Sequence, residues 1–252
     1  LTLLGFLAAN LIGRTLVVVL GDHGEGLGEH VEEGHSNYVY QVNVHIPLLF
    51  AHPGVVQAGK RVSAIVESVD VFPTILDLFG WPAPPNLMSR SLAPGLAGRD
   101  MASVGAYSES LFVFNALGWS EQRSITKDRW KYISSVKPEL FDRKSDPGET
   151  KNLIVDEPRK AAGLLKELRD RYDAMTPGKA AVPEWDSTAR SALETLGYLG
   201  GSPVTTEEFV SQGLPDPKDM QDVLLQLKDA KEYLDHHKKP EEIALIIPMV
   251  KH

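Results

Sequence analysis

The chain has 252 residues, of which 42% are hydrophobic and 24% are charged, and this balance excludes global disorder because it supplies enough apolar surface for a buried core. The 26 Lys and Arg against 34 Asp and Glu give a net charge of -8, which disfavours nonspecific attraction to nucleic acid or to an anionic membrane. The chain has no cysteine, which excludes disulfides, zinc–thiolate sites and a cysteine nucleophile within these residues.

The first segment is apolar from Leu3 to Ile12, and Gly13 and Arg14 then interrupt it. It lacks the basic leading region of a signal peptide and falls short of the ~20 apolar residues of a membrane span. We expect a buried helix that leads into a strand. Because the chain opens with Leu1 in the middle of this pattern, we also expect it to be a fragment of a longer protein.

Two further apolar runs predict buried strands. Residues 15–20 read Thr-Leu-Val-Val-Val-Leu without alternation, which is typical of a strand covered on both faces of a parallel sheet. Residues 46–51 form the second run, which ends at a turn signal over residues 52–54. A helix is predicted over 71–79, with Gly80 as its cap. Strand, loop, strand and helix in this order predict an α/β domain.

The next part of the chain predicts a small antiparallel subdomain over about residues 104–150. Residues 123–126 and 129–133 are rich in strand formers and flank Lys127-Asp128, a spacing that suits a hairpin. Residues 139–142 predict a further short strand. This subdomain is followed by helical periodicity.

The division of the chain follows from these patterns. We predict a main domain over residues 1–175, a linker with a short helix over 176–204 and a helical extension over 205–252. Within the extension, apolar residues on a helical period predict a helix over 217–236, and the run 243–250 predicts a second helix that completes a hairpin.

A glycine-rich loop over residues 21–30 carries the side chains most suited to chemistry. Asp22 and His23 follow the first predicted strand, at the edge where ligands bind in open α/β sheets. A turn after Gly21, with Gly24 free to adopt unusual dihedral angles, brings both side chains onto one ion. One oxygen and one nitrogen ligand leave the metal open between calcium and a borderline ion such as manganese or zinc. The alternative is a loop whose Asp22 caps a helix and whose His23 lies at the surface.

Further polar residues extend this cluster. An exposed charged face explains Glu32 and Glu33 well. His35 is harder to explain as a surface residue, because the aromatic pair Tyr38 and Tyr40 follows it closely.

Residues 16–54 and 62–152 resemble the second half of a sulfatase catalytic domain of the alkaline phosphatase superfamily. The motifs that carry the resemblance occur in the family's order: residues 17–25 (Val-Val-Val-Leu-Gly-Asp-His-Gly-Glu), 27–30 (Leu-Gly-Glu-His), 46–48 (Ile-Pro-Leu), 69–78 (Val-Asp-Val-Phe-Pro-Thr-Ile-Leu-Asp-Leu), 129–133 (Arg-Trp-Lys-Tyr-Ile), 139–142 (Glu-Leu-Phe-Asp) and 146–149 (Asp-Pro-Gly-Glu). Such an ordered set of motifs is specific to this family.

The resemblance implies both a fold and an activity. The fold is a partial alkaline-phosphatase-like sandwich, with a mainly parallel sheet flanked by helices, a small antiparallel C-terminal subdomain and a helical extension. The activity is metal-dependent hydrolysis of sulfate esters. Asp22 and His23 then occupy positions of metal ligands, with Ca²⁺ favoured and Mn²⁺ or Zn²⁺ also possible, and His35 falls where relatives carry a Lys or His that contacts the substrate sulfate. The family's formylglycine nucleophile is expected in the part of the domain that precedes Leu1.

The sequence departs from the family pattern in one respect that bears on activity. The motif Cys/Ser-x-Pro-x-Arg, from which the nucleophile is made, does not occur in these 252 residues. We therefore expect the chain alone to contain no catalytic nucleophile, to be inactive and to bind the cation weakly. His45 also replaces the Arg that relatives carry before the Ile-Pro step.

Two other functions remain open from the sequence. A phosphodiesterase or phosphonate monoester hydrolase of the same superfamily shares the Asp-His-Gly-Glu motif. A noncatalytic sulfatase-like protein would instead present the helical extension to a protein partner. The expected substrate is a small-molecule or glycan sulfate ester, and no nucleic-acid partner is expected.

Two weaker expectations also come from resemblance. Residues 192–200 and the helical extension resemble bacterial sulfatase-like proteins that continue into tetratricopeptide repeats, so residues 205–252 are a candidate start of such repeats. A periplasmic or extracellular location is favoured, because proteins of this family are often exported.

Overall fold

The computed structural model describes residues 15–175 and 209–236. Within these ranges the chain forms eight strands and six α-helices, together with three short 3₁₀ helices. The strands are β1 (Val17–Leu20), β2 (Gly26–Leu27), β3 (Glu33–Gly34), β4 (Leu48–Ala51), β5 (Ala106–Ser110), β6 (Gln122–Lys127), β7 (Trp130–Ser134) and β8 (Glu139–Asp142). The helices are α1 (Gln41–Val44), α2 (Val71–Leu78), α3 (Ala93–Leu96), α4 (Phe112–Leu117), α5 (Pro158–Ala174) and α6 (Gln221–His236). Among the described residues, no helix has the length and apolar character needed to cross a membrane.

Strands β1 and β4 form a two-stranded ribbon that differs from the expected pairing. They run antiparallel, with Val17 opposite Ala51 and Leu20 opposite Leu48, and the pairings of the other strands in the described ranges are antiparallel as well. Within the described residues the pairing of these two strands is therefore antiparallel, whereas the apolar run that forms β1 predicts a strand of a parallel sheet. A parallel return needs a crossover, usually a helix, whereas the connection over residues 21–47 is folded into the β2–β3 hairpin, a 3₁₀ turn and the single-turn α1. Val19 is 45% exposed in this arrangement.

The predicted antiparallel subdomain is confirmed. Strands β5 to β8 pair in sequential order as a meander, and the β6–β7 hairpin turns at Asp128, which has a φ of 52°. Helix α5 packs on one face of this sheet. The resulting core comprises Ile125, Tyr132, Leu140, Ala161, Leu164 and Leu168.

A second apolar cluster joins the glycine-rich loop to this subdomain. Tyr38, Val39 and Tyr40 lie against Ile133 and Phe141. All five side chains are buried, so the segment that follows His35 is fixed to the sheet by burial of apolar surface.

The helical extension is described in part. A 3₁₀ helix over Pro217–Met220 leads directly into α6, in agreement with the helix predicted over 217–236. The linker region 176–204 and the run 243–250 lie outside the described residues.

Helix α1 is held against the loop that follows β1 by a close backbone contact. The Gly24 N–H donates to the Asn43 carbonyl oxygen at 2.7 Å. A Cβ atom added to Gly24 would lie 1.9 Å from the Val42 carbonyl oxygen. The sequence predicts unusual dihedral angles as the reason for this glycine, but the structure shows that the reason is close approach.

A buried ion pair connects the subdomain to α1. Lys131 Nζ and Glu149 Oε1 lie 3.5 Å apart, with side-chain exposures of 0% and 1%. Glu149 Oε2 also accepts a hydrogen bond from the backbone N–H of Gln41, the first residue of α1, at 2.6 Å. Burial lowers the pKa of Lys131 to about 8, because desolvation disfavours the charged amine.

Replacing Lys131 by Met is expected to lower the free energy of unfolding by about 3 kcal/mol, because Glu149 would stay buried without its counter-charge. The double variant Lys131→Met/Glu149→Gln removes both charges and keeps an acceptor for Gln41, so it is expected within about 1 kcal/mol of the wild type. Urea denaturation measures both. Lys166→Met, which removes an exposed ion pair with Asp170, is the control and should cost less than about 0.5 kcal/mol. A double variant as unstable as Lys131→Met would contradict this account.

Gly24→Ala is expected to destabilise the chain by about 2 kcal/mol or more, because the added methyl group would overlap the backbone of α1. The matched control is Gly163→Ala in α5, where an added Cβ meets no atom within 4 Å and helix propensity favours alanine. Chemical denaturation of the two variants checks the prediction. Equal midpoints for the two would show that the Gly24 contact is not needed.

Candidate metal and anion site

The loop after β1 presents the two predicted metal ligands side by side. The Gly21 N–H donates to the Pro47 carbonyl oxygen at 3.2 Å, which fixes the start of the loop next to β4. His23 Nε2 lies 3.7 Å from Asp22 Oδ2, and the side chains are 35% and 79% exposed. Asp22 and His23 therefore lie side by side and line the same cleft, and their role as metal ligands stays a prediction.

The hydrogen bonds of both side chains suit cation binding. The backbone N–H of His23 donates to Asp22 Oδ1 at 3.0 Å, and this hydrogen bond holds the pKa of the Asp22 carboxyl below its usual value. His23 Nδ1 lies 2.7 Å from the Gly24 carbonyl oxygen. Because a carbonyl only accepts, Nδ1 donates in this hydrogen bond, and Nε2 is the ring nitrogen that is left for a metal. The donor set fits a divalent cation.

His35 joins this pair through contacts with His23 and Glu25. The rings of His23 and His35 stack with centroids 3.7 Å apart, and His35 Nδ1 lies 3.2 Å from Glu25 Oε2. The stack and the contact with Glu25 hold the His35 ring directly beside His23.

Glu25 is a functional candidate that the sequence alone did not single out. His23, Glu25 and His35 each offer a ligand atom, and these atoms lie within 4.8 Å of one another. The position of Glu25 directly after Gly24 in the motif was visible in the sequence. Its approach to His35, ten residues away, depends on the pairing of β2 with β3, in which Gly26 lies opposite Gly34.

Asp22, His23 and His35 line one cleft of about 1000 Å³. Other charged side chains, among them Glu67, Glu109 and Arg171, line the same cleft. Its apolar lining residues include Val69, Phe72, Leu87, Met88 and Phe112. The mixed lining can therefore bind a ligand that has both an anionic group and an apolar or ring-shaped group.

The prediction that Glu32 belongs to an exposed charged face is wrong. Glu32 is only 2% exposed, and it accepts hydrogen bonds from the Asn37 N–H at 2.9 Å and from the Asn43 side-chain amide. Burial raises the pKa of Glu32 above its usual value. These bonds satisfy a carboxyl that would otherwise be costly to bury, and they tie the loop to α1. Glu33 is exposed, as expected.

His30 ties the same loop to the subdomain. Its ring stacks on Tyr40 with centroids 3.6 Å apart, and its Nε2 donates to the Gly148 carbonyl oxygen at 3.1 Å. Burial lowers the pKa of His30. Its orientation toward Gly148 makes it a structural contact between the loop and the 145–149 turn.

Comparison with known proteins identifies the family. Residues 28–176 match the family model described as N-sulphoglucosamine sulphohydrolase, C-terminal. Arylsulfatase K of Mus musculus is 32% identical over 176 residues, which cover 64% of this chain and 30% of the relative.

Two solved structures resemble the described fold. BT4656, solved in complex with its substrate D-glucosamine-2-N,6-O-disulfate, is 25% identical with a TM-score of 0.59, over 71% of this chain and 39% of that one. The phosphonate monoester hydrolase SpPMH from Silicibacter pomeroyi is 29% identical with a TM-score of 0.53, over 68% of this chain and 38% of that one. The chain thus spans between about a third and two fifths of the length of these proteins. Because the family model matches more than half of its residues, the chain belongs to the sulfatase family, with the C-terminal region of that family as its matched part.

Proposed function

We propose that this chain supplies the cation-binding and sulfate-binding part of the active site of a sulfuric ester hydrolase. One observation carries the proposal: Asp22, His23 and His35 lie close together in the lining of one cleft in a chain of the sulfatase family. A sulfate monoester has an anionic head and an uncharged organic group, which match the charged and the apolar parts of this lining.

Asp22 and His23 would hold the divalent cation. When bound, such a cation withdraws charge from the oxygens of the transferring group and lowers the pKa of the attacking group. Two side chains fill only part of the roughly six to eight oxygen sites that calcium takes, so we expect weak binding by this chain. The family resemblance favours calcium as the bound cation. Mn²⁺ and Zn²⁺ are the alternatives, because they bind an imidazole nitrogen more readily than calcium does.

His35 would bind the sulfate. A cationic imidazole forms a charge-assisted hydrogen bond to an anionic oxygen. Glu25 accepts from Nδ1, so it orients the ring and leaves Nε2 as the donor for the substrate. This division of roles keeps the negative charge of the ester near the cation and near His35.

The nucleophile is a separate question from the binding groups. The family resemblance implies a formylglycine, and a formylglycine made from cysteine cannot arise within these 252 residues because they contain none. The substrate class that we propose is a sulfated sugar or another small sulfate ester. The likeness to BT4656, whose substrate is D-glucosamine-2-N,6-O-disulfate, supports a sugar.

The second candidate function is hydrolysis of phosphonate monoesters. The likeness to SpPMH, at 29% identity, favours it over a noncatalytic binding role. Sulfate monoesters and phosphonate monoesters are similar in shape, and each carries a single negative charge. They differ in the central atom and in the carbon that is bonded directly to phosphorus. Assays of 4-nitrophenyl sulfate and of a phenylphosphonate monoester, with the longest natural gene product that contains these residues, decide between the two.

Asp22→Ala and His23→Ala are each expected to weaken Mn²⁺ binding by about tenfold or more, because each removes one protein ligand. Electron paramagnetic resonance of free Mn²⁺ during titration of the chain measures the affinity. Asp156→Ala and His52→Ala are matched controls, since neither residue lines the cleft. Wild-type affinity in Asp22→Ala would contradict the proposed cation site.

His35→Ala is expected to raise KM for the sulfate ester and to lower kcat in the longer gene product, because the anion loses a charge-assisted hydrogen bond. His35→Lys keeps a cationic donor and should retain a larger part of kcat/KM. Steady-state kinetics with 4-nitrophenyl sulfate provides the comparison. If Ala and Lys variants have the same kcat/KM, the charge at this position plays no part in sulfate binding.

A further inference from the structure

We propose that the start of the helical extension is a positioning element of the active site. We name the segment over residues 214–228 the C-terminal clamp, and the segment over residues 28–36, which ends just after His35, the site loop. The inference is that the clamp holds the site loop in the conformation that stacks His35 on His23. Its functional part depends on the proposed function above, whereas its structural part does not.

The site loop has a backbone that needs external support. Positive φ angles occur at Gly28, His30, Val31, Gly34 and Ser36. Such angles are costly for residues other than glycine, and most of all for a β-branched residue such as Val31, whose φ is 64°. Strained backbone of this kind persists where surrounding contacts over-determine it.

The clamp contacts the site loop before and after Val31. The Gln221 side-chain amide donates to the His30 carbonyl oxygen at 3.4 Å. Lys228 forms an ion pair with Glu33. These two contacts lie about two helical turns apart on α6, so the helix runs along the part of the loop that contains Val31.

The clamp also supports the residues that follow the loop. The Tyr38 hydroxyl donates to the Pro217 carbonyl oxygen at 3.2 Å, and Leu224 packs against the cluster that contains Tyr38, Val39 and Tyr40. Tyr38 and Val39 line the cleft together with His35. A displacement of the clamp is therefore transmitted to the cleft through a side chain that touches both.

The clamp itself is attached to the antiparallel sheet. Asp216 is 1% exposed and accepts hydrogen bonds from the backbone N–H of Lys137 at 2.7 Å and of Lys218 at 2.9 Å. The Ser120 N–H donates to the Pro215 carbonyl oxygen at 2.9 Å. Ser120 lies just before β6, and Lys137 lies between β7 and β8. These contacts attach the clamp to the antiparallel sheet, and the clamp in turn holds the site loop.

The test compares two leucines that are adjacent on α6. Leu224 packs on the tyrosine cluster, whereas Leu225 is 41% exposed. In the 252-residue chain, Leu224→Ala is expected to speed amide hydrogen exchange in residues 28–40 by about tenfold and to leave exchange in α5 unchanged. Leu225→Ala should leave the exchange rates of both regions unchanged. Unchanged exchange in residues 28–40 for Leu224→Ala would overturn the proposal.

A second readout follows the histidine rings by nuclear magnetic resonance. We expect Leu224→Ala to move the ring signals of His35 toward those of an unstacked imidazole, while Leu225→Ala leaves them in place. With Mn²⁺ added, the wild type should show paramagnetic broadening of the ring signals of both His23 and His35. In Leu224→Ala, the His23 signals should broaden as in the wild type, and the His35 signals should broaden less. Absence of broadening at His23 in the wild type would refute the cation site and not the clamp, whereas identical His35 signals in the two leucine variants would refute the clamp.

Global unfolding of Leu224→Ala would appear as faster exchange in α5 as well. Tyr38→Phe then decides, because it removes only the hydroxyl that donates to Pro217. The clamp predicts faster exchange in the site loop for this variant with α5 unchanged, at a smaller amplitude than a leucine truncation. Wild-type exchange in the site loop of Tyr38→Phe would overturn the proposal.

Discussion

The close contact between Gly24 and helix α1 is the constraint on which the site depends. The space beside Gly24 is filled by the backbone at Val42, so the loop after β1 lies directly on α1 with no side chain between them. This contact determines where Asp22 and His23 emerge, just before the glycine. Helix α1 has only four residues and cannot hold its place through its own hydrogen bonds. Its position therefore comes from the groups that bind its ends.

Buried polar groups supply that position. Glu149 binds the first N–H of α1, and Asn43 in α1 binds Glu32 of the neighbouring loop. Charged groups of this kind add little to net stability when they are buried, because the loss of hydration offsets the attraction. They do require a particular geometry, since a shift of either partner leaves a buried charge unsatisfied. The 145–149 turn of the subdomain is in this way part of the support of the site.

Local sequence signals predicted those elements whose determinants lie close together in the chain. The β6–β7 hairpin and helix α2 with Gly80 at its end, where φ is 67°, follow from turn chemistry and periodicity. The antiparallel pairing of β1 with β4 was missed, because an all-apolar run carries no information about the direction of its partner. Asp22, His23 and His35 could be selected as candidates from their position after a strand and from the family motif, and their roles stay predictions. The burial of Glu32 and the contact of Tyr38 with Pro217, 179 residues away, could not be read from the sequence, since both depend on tertiary packing.

The meander of β5 to β8 makes its contacts between strands that are adjacent in sequence, and α5 covers it. The β1–β4 ribbon instead joins strands separated by the whole glycine-rich loop, and it keeps Leu49 57% exposed. Contacts of short sequence separation form early in folding, and well-covered sheets open last. We therefore expect two levels of cooperativity, with the loop that carries Asp22 and His23 on the weaker one. Brief local opening of the ribbon would exchange the cation with solvent while the meander stays folded, so the lifetime of the bound ion would report the stability of the ribbon and not that of the whole chain.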